Sequence, residues 1–473
     1  MGARVVTTSS DRNPVEVLNR RAFLRRLGSG SLGGAVGLAS TGEALARVEA
    51  GRLPRLSRVD DGFLDELSRV TFRYFLEAAH PKTGQVLDRR RADGEADSRG
   101  VGSIAATGFG LTALCLAEER GWIPRHRARA LVLKTLRHLW HEMRHVRGFF
   151  YHFHDWATGA RIWKCELSSI DTAILMCGVL CCRAHFRGSH ERAIRDLATG
   201  LYERVDWPWM LKGGETFSMG WLPGSAPGGT VVEDGVDGNG GRFLKSRWDH
   251  YCELMMLYLL AMGSPTYPIE DRHWRAWSRP VREYFGQKFV WSPAPLFVHQ
   301  FSHAWFDFRN RRDAGVDWFE NSVAATRAHR DWSLDRSDRF PEWSEDLWGV
   351  TSSDSVKGYT GWGGPPDSGP LDGTIVPCAA AGSLPFLPEA CLRTLRHQKE
   401  RYGDRIWKRY GFVDAFNPHD GWVNPDVIGI DLGITLLMAE NLRSGFVWRT
   451  MGGDPAVRRG MKRAFGTGPV IRD

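Results

Sequence analysis

Four carboxylates in this chain stand where a lone acid is costly unless it is paired or used. Glu253 lies in Lys245-Ser-Arg-Trp-Asp-His-Tyr-Cys-Glu-Leu-Met-Met-Leu-Tyr258, at the head of an apolar run. Such an acid is partly desolvated, so its pKa should rise, which suits a general acid; pairing with Arg247 or another arginine is the structural alternative. If this segment is helical, Asp249 and Glu253 share one face. Asp171 precedes the run Thr172 to Leu180 and could equally complement a helix dipole. Asp414 sits among aromatics, and Asp431 lies in an apolar stretch between Gly429 and Gly433, where either could be buried as half of a structural pair.

The residues around these acids suit hydroxylated ligands. Residues 341–366 hold four acids and four aromatics among Gly, Ser and Pro, so the segment reads as a loop. Flat apolar faces accept the C–H faces of sugar rings, and carboxylates accept hydroxyls or supply acid and base. Candidate sugar contacts there are Glu345, Trp348, Asp354, Tyr359 and Trp362, joined by Asn417 and Trp422 from a second loop. The alternative is that the aromatics cap a core and the acids are solvated. His299 and His303 have the i, i+4 spacing of a metal pair, but no Glu completes an H-E-x-x-H motif. With Trp305, Asp307 and Arg309, that stretch reads better as a sugar-contacting loop. No G-x-S-x-G elbow, P-loop or strand-linked G-x-G-x-x-G is present, and no Cys/His spacing reads as zinc. No cofactor and no metal is therefore expected.

Long helices must position these groups. Amphipathic or apolar periodicity predicts helices from Asp61, from Thr107, over 124–143, 170–186, 190–204, 248–262, 270–286, 317–332, 372–384, 388–401 and 427–442, with a short one at 455–464. Strand signals are confined to Phe149–Phe153 and Leu296–Gln300. About twelve helices without a 34–45-residue repeat argue against an open solenoid. They favour an all-α (α/α)6 toroid with a loop-lined cleft at one end. The Gly-rich stretch 223–241 reads as a mobile insertion between helices rather than a domain boundary.

Residues 1–46 read separately. Asn19-Arg20-Arg21-Ala22-Phe23-Leu24-Arg25 opens a weakly apolar stretch to Ala39, and Ala44-Leu45-Ala46 fits a cleavage site. This is the layout of a twin-arginine signal, too short and polar for a stable membrane span. The expected divisions are this signal peptide, a lead over 47–60, one catalytic domain over 61–466 and a tail over 467–473. The twin-arginine export machinery would engage residues 19–46, placing the mature chain in the periplasm or outside the cell. Net charge is +8, of which +3 falls in residues 1–46, and no dense basic stripe suggests nucleic acid. The eight cysteines fall largely in apolar helical patterns, where Cys acts as a small hydrophobe.

Several blocks occur together and in order between about Asp61 and Phe465. They include Phe72-Arg-Tyr-Phe75, Thr107-Gly-Phe-Gly-Leu111, Tyr251-Cys-Glu253, Ser264-Pro-Thr-Tyr-Pro268 and Pro295-Leu-Phe297 with His303. Trp348-Gly-Val-Thr-Ser-Ser-Asp354, Asp372-Gly-Thr374, Tyr410-Gly-Phe-Val-Asp-Ala-Phe416 and Asp431-Leu-Gly433 follow. In these the chain resembles the bacterial glycoamylase-like domain family, which includes endo-β-1,2-glucanases. The resemblance implies an (α/α)6 toroid and an exported glycoside hydrolase inverting β-glucan linkages, with β-1,2-glucan favoured. It puts the acid of a Tyr-Asn-Glu type block on Glu253, and a further acid on Asp171. Cys252, Ser168 and Leu432 depart from the family pattern. On this reading Glu253 protonates the leaving oxygen and Asp431, or else Asp414, activates water. Inversion asks that the two carboxyls stand about 6.5–9.5 Å apart, or farther with a relay. Asp171, His303, Trp305, Arg309 and the loop residues above would line subsites. A catalytically silent glycan-binding protein and a transglycosylase are the alternatives.

Overall fold

The computed structural model describes residues 54–96, 98–224, 241–366 and 369–466. The proposed signal (1–46), most of the Gly-rich insertion and the tail lie outside the described residues. Fourteen α-helices are described: α1 (Arg58–Glu77), α2 (Ile104–Glu119), α3 (Arg125–His141), α4 (Ser169–His185), α5 (Arg192–Glu203), α6 (Trp207–Leu211), α7 (Met255–Gly263), α8 (Asp271–Arg275), α9 (Trp318–Leu334), α10 (Pro377–Ala381), α11 (Pro388–Tyr402), α12 (Gly429–Ser444), α13 (Phe446–Gly452) and α14 (Pro455–Phe465). None is long and apolar enough to cross a membrane.

Burial sorts these helices into two rings. Every residue of α2 from Ile104 to Ala117 is buried, as is every residue of α7, and α4 and α12 are nearly so. A helix apolar all round belongs inside. By contrast α1 buries one stripe, Leu64, Leu67, Thr71, Phe72 and Phe75 among it, and exposes the rest. The inner ring runs α2, α4, α7, two 3-10 turns (Leu296–His299 and Phe301–Ala304), α10 and α12, and α12 packs back on α2. Each inner element has an outer partner: α3, α5, α14, α9, α11 and α1 respectively. This is an (α/α)6 toroid in which the first and last long helices, α1 and α12, close the circle.

Inner helices meet closely because glycine lets them. A Cβ on Gly178 of α4 would stand 2.1 Å from the Gly108 carbonyl oxygen of α2, and one on Gly108 would stand 2.5 Å from the Ile174 carbonyl. The alternation of outer and inner helices makes the two kinds of connection unequal. Links from inner to outer helices are short, as at 120–124 and 382–387. Links from outer to inner helices are long: 78–103, 142–168, 204–254, 335–376 and 403–428. The long loops that lead from outer helices therefore arrive at the N-terminal end of the inner ring.

Those loops are laced together around the mouth. Gly429 N donates to Asp88 O (2.7 Å) and Ile104 N to His152 O (3.3 Å). Ser169 N reaches Met219 O at 3.3 Å, and Tyr251 Oη lies 3.1 Å from His299 Nδ1. Phe297 N donates to Thr351 Oγ1 (3.1 Å), and Ile375 N to Phe416 O (2.8 Å). The circuit passes through the approach to every inner element.

Several expected elements differ. The segment predicted as a helix over 270–286 keeps only α8; Pro280 then gives way to a hairpin of Val281–Tyr284 with Gln287–Val290. Phe285 and Gly286 turn it with φ of 46° and 74°, as a type I′ turn requires. The helix expected from 248 starts only at Met255, because 248–251 hydrogen-bond to Phe217 and Ser278 instead. Asp249 and Glu253 consequently share no helical face, and Asp249 is solvated. Leu296–Gln300 is a 3-10 turn rather than a strand.

Candidate active site

Inner-helix N-termini carry acids into the mouth. Asp431 occupies the first turn of α12 and is 7% exposed. Asp414, 4% exposed, comes from the loop leading into that helix. Its Oδ2 accepts from Asp354 N (2.8 Å) and Asn424 Nδ2 (3.0 Å). Burial, then the nearby charges of Asp431 and Asp354 and a hydrogen bond with Asp431, push the Asp414 carboxyl well above the usual carboxylate range. Two carboxylates in such contact cannot both ionise, so the pair holds a proton.

A third acid steadies the pair. Asp354 receives Arg89 Nη1 at 2.6 Å and Asn424 Nδ2 at 3.3 Å, and Arg89 Nε also reaches Asp88 at 3.2 Å. Strand Arg89–Arg91 pairs with Asp426–Ile428 directly before α12, which fixes Arg89 relative to Asp431. Behind Asp414 and Asp431, Thr71 and Thr435 help to bound a cavity of about 10 Å³. Its other walls are mostly apolar, among them Leu67, Pro377, Phe412, Val413 and Val427.

A second group opens α4. Ser168 caps the helix, its Oγ accepting from Asp171 N at 3.1 Å while also bonding the Asp171 carboxylate. His152 stands between two acids: its Nδ1 is 3.2 Å from Glu166 Oε1 and its Nε2 is 3.6 Å from Asp171 Oδ2. Glu253 is 1% exposed and directly precedes α7, the next inner helix. Its carbonyl accepts from Ser302 Oγ at 2.8 Å, and the same hydroxyl accepts from Met256 N, pinning the turn to the neighbouring 3-10 element. Arg247 is not its partner; that guanidinium is spent on Thr216 and the Leu211 carbonyl. Glu253, Asp171, Asp414 and Asp431 thus all stand at N-terminal ends of inner helices, with Asp354 beside Asp414.

Tyr359 and Trp422 are half-buried on the same loops as Asp354 and Asn417. Trp362 is buried and donates Nε1 to Ser353 Oγ (2.9 Å), bracing the strand before Asp354. Asn417 holds its own loop, donating to Asp372 O (3.0 Å) and accepting from His419 N (2.9 Å).

Five expected sugar contacts are elsewhere. Trp305 is fully buried and donates to Thr112 Oγ1 (3.0 Å), halfway down α2. His303 is fully buried against Ser322 Oγ (3.0 Å), and burial lowers its pKa to about 3. Arg309 clamps Asp307 (2.7 Å) and lies over Trp448 at 4.9 Å. These three belong to the floor, because they end the fourth inner element and the connection that follows it. Trp348 is fully buried, with its amide bonded to Thr394 of α11. Glu345 lies on the outer wall, paired with Arg393 (3.2 Å) and Arg330 (3.5 Å). Sequence order placed it near Asp354, but the loop runs down the outside before turning in. Conversely, Arg89, Asn424, His152 and Glu166 were not singled out from the sequence. Only the Arg89-Arg90-Arg91 run offered a local signal.

Among the described residues, one group has metal-ligand spacing: Glu118, Glu119 and His185. It lies at the C-terminal ends of α2 and α4, opposite the mouth, and Arg125 already pairs with Glu118 at 3.0 Å.

Residues 245–455 match the Glycoamylase family, described as "Putative glucoamylase". Over these residues the chain is similar to the glycoamylase-like family. It is 26% identical over 427 residues to an exo β-1,2-glucooligosaccharide sophorohydrolase (non-reducing end) of Parabacteroides distasonis, covering 83% of this chain. The chain spans 56% of the length of that curated relative. An endo-β-1,2-glucanase from Chitinophaga pinensis, solved with sophorotriose and glucose, superposes with a TM-score of 0.75 at 25% identity, covering 87% of this chain and 99% of that one. A β-1,2-glucanase structure from Parabacteroides distasonis shares the fold at a TM-score of 0.76 and 24% identity, covering 87% of this chain and 60% of that one.

Proposed function

We propose that this chain is a glycoside hydrolase of β-1,2-linked glucan or glucooligosaccharide, working by inversion. The reading is supported by the position of Glu253 just before α7 and of the Asp414–Asp431 pair at the start of α12, both at the N-terminal end of the inner ring. Glu253 is shielded from water by an apolar helix start, which favours a carboxyl that holds its proton for the leaving oxygen. Asp431 is the base that draws the proton from water. Asp414, itself protonated, orients Asp431 and is not the base. Asp171, Asp354, Tyr359 and Trp422 contact the glucan. The similarity to proteins acting on β-1,2-linked glucans supports the linkage.

Incubation with linear and cyclic β-1,2-glucans, followed by NMR, tests this. The expected result is release of glucooligosaccharides with the α-anomer first. Binding without product for the wild type supports a silent glycan-binding protein instead, and larger products support a transglycosylase. Export by the twin-arginine route through residues 19–46 is part of the proposal. Replacing Arg20 and Arg21 by Lys should retain the chain in the cytoplasm; unchanged export would remove that part.

A further inference from the structure

A turn beside the acid cluster breaks the usual residue preference. Residues 162–165 close with Cys165 N donating to Ile162 O at 3.1 Å, and both central residues have positive φ, 53° at Trp163 and 50° at Lys164. Two consecutive positive φ values suit Asn and Gly, as in type I′ turns. For a bulky side chain that conformation is an outlier. Burial does not offset it, since Trp163 is 56% exposed, the most of the 20 tryptophans.

The indole is nevertheless held in place. Arg161 Nε donates to Cys165 O (2.6 Å), Phe153 N to Cys165 Sγ (3.3 Å), and His152 N to Glu166 O (3.0 Å). Trp163 meets Phe153 edge-on at 5.2 Å, and the Phe153 ring stacks on His152 at 3.8 Å. His152 in turn faces Asp171. A strained, solvent-facing Trp is therefore linked through Phe153 and His152 to Asp171 at the start of α4. Strain retained beside a site points to a task there.

We infer that Trp163 is an aromatic platform on which a pyranose ring of the bound glycan stacks, at a subsite removed from the bond cleaved. It presents a flat apolar face to the C–H face of the sugar, and the turn aims that face. The inference rests on the glycan reading of the mouth.

The test is Trp163→Gly, because glycine adopts positive φ freely and the fold should hold or tighten. Expected is an unchanged or higher Tm, a KM for long β-1,2-glucans raised about tenfold, and an unchanged kcat at saturation. Trp163→Phe should recover most of the affinity. Unchanged KM at every chain length overturns the inference, as does a loss of affinity that tracks a loss of Tm. If the wild type cleaves no β-1,2-glucan, the catalytic reading fails by itself. Calorimetry with soluble β-glucans then decides the platform: weaker binding by the Gly variant sustains it, and equal or absent binding by both proteins removes it.

Discussion

Asp414 and Asp431 form a hydrogen-bonded pair of buried carboxyls, one from a loop and one from the first turn of α12. Their contact assigns different states to two residues of the same type. Asp414 keeps a proton because burial and a neighbouring charge both disfavour its ionised form. On the proposed reading Asp431 is the member that accepts one.

This difference is testable by isosteric substitution. Asp414→Asn retains a hydrogen-bond donor toward Asp431 and should lower kcat by less than about tenfold, whereas Asp431→Asn should lower it by about 10²–10⁴. Initial rates of reducing-sugar release on β-1,2-glucan compare the two. Equal losses would mean that the roles are not divided in this way.

Glu253→Gln keeps the side-chain shape and removes the acid. A fall in kcat of about 10²–10⁴ is expected, with KM little changed. A variant hydrolysing every active glycan at near wild-type rate would exclude Glu253 as the proton donor.

Stability should fall in mild acid. Burial lowers His145 to about 4 and His154, His299 and His303 to about 3, and places His329 well below its ordinary value. All five are neutral when folded, whereas unfolded imidazoles take up protons near 6.5. The unfolded state then binds more protons, so the contribution is present above about pH 6.5 and is lost as pH falls toward the folded values. Asp414 has the opposite sign: its raised folded pKa gives stability at low pH that is lost as pH rises through that value. Urea midpoints between pH 8 and 4 should decline below about 6.5, and Asp414→Asn should raise the midpoint most at the alkaline end. A flat acid limb would contradict the burial of these imidazoles.

Gly178→Ala probes the inner ring. The added carbon would stand 2.1 Å from the Gly108 carbonyl, a backbone atom that cannot swing aside. A loss of about 1–3 kcal/mol is expected, read from urea unfolding of the two proteins. Ser168→Ala should cost about 1 kcal/mol by removing the cap of α4. A neutral Gly178→Ala would mean that the helices part more easily than their packing indicates.

Periodicity located most helices and their apolar character, since burial on all sides leaves a continuous apolar run, as in α2 and α4. It did not locate the start of α7. Residues 248–251 have no local breaker, but their backbone groups bond to Phe217 and Ser278, far away in sequence. Nor did it separate buried Trp305 from half-buried Trp422, because a tryptophan reads alike on the floor and at the mouth.

By itself the sequence determined the toroid and the four acids flanked by apolar runs, because an acid at a buried helix end leaves a mark in its neighbours. Only the tertiary structure decided which groups share the mouth. Arg89 joins Asp354 and Asp414 joins Asp431 through the pairing of Arg89–Arg91 with Asp426–Ile428, far apart along the chain. The 341–366 loop was divided by the same folding. Asp354 was brought beside Asp414, while Glu345 was left outside and Trp348 was drawn into the core. The reason is physical: local pattern records how much water a residue sees, while which partner replaces that water is fixed when the ring closes.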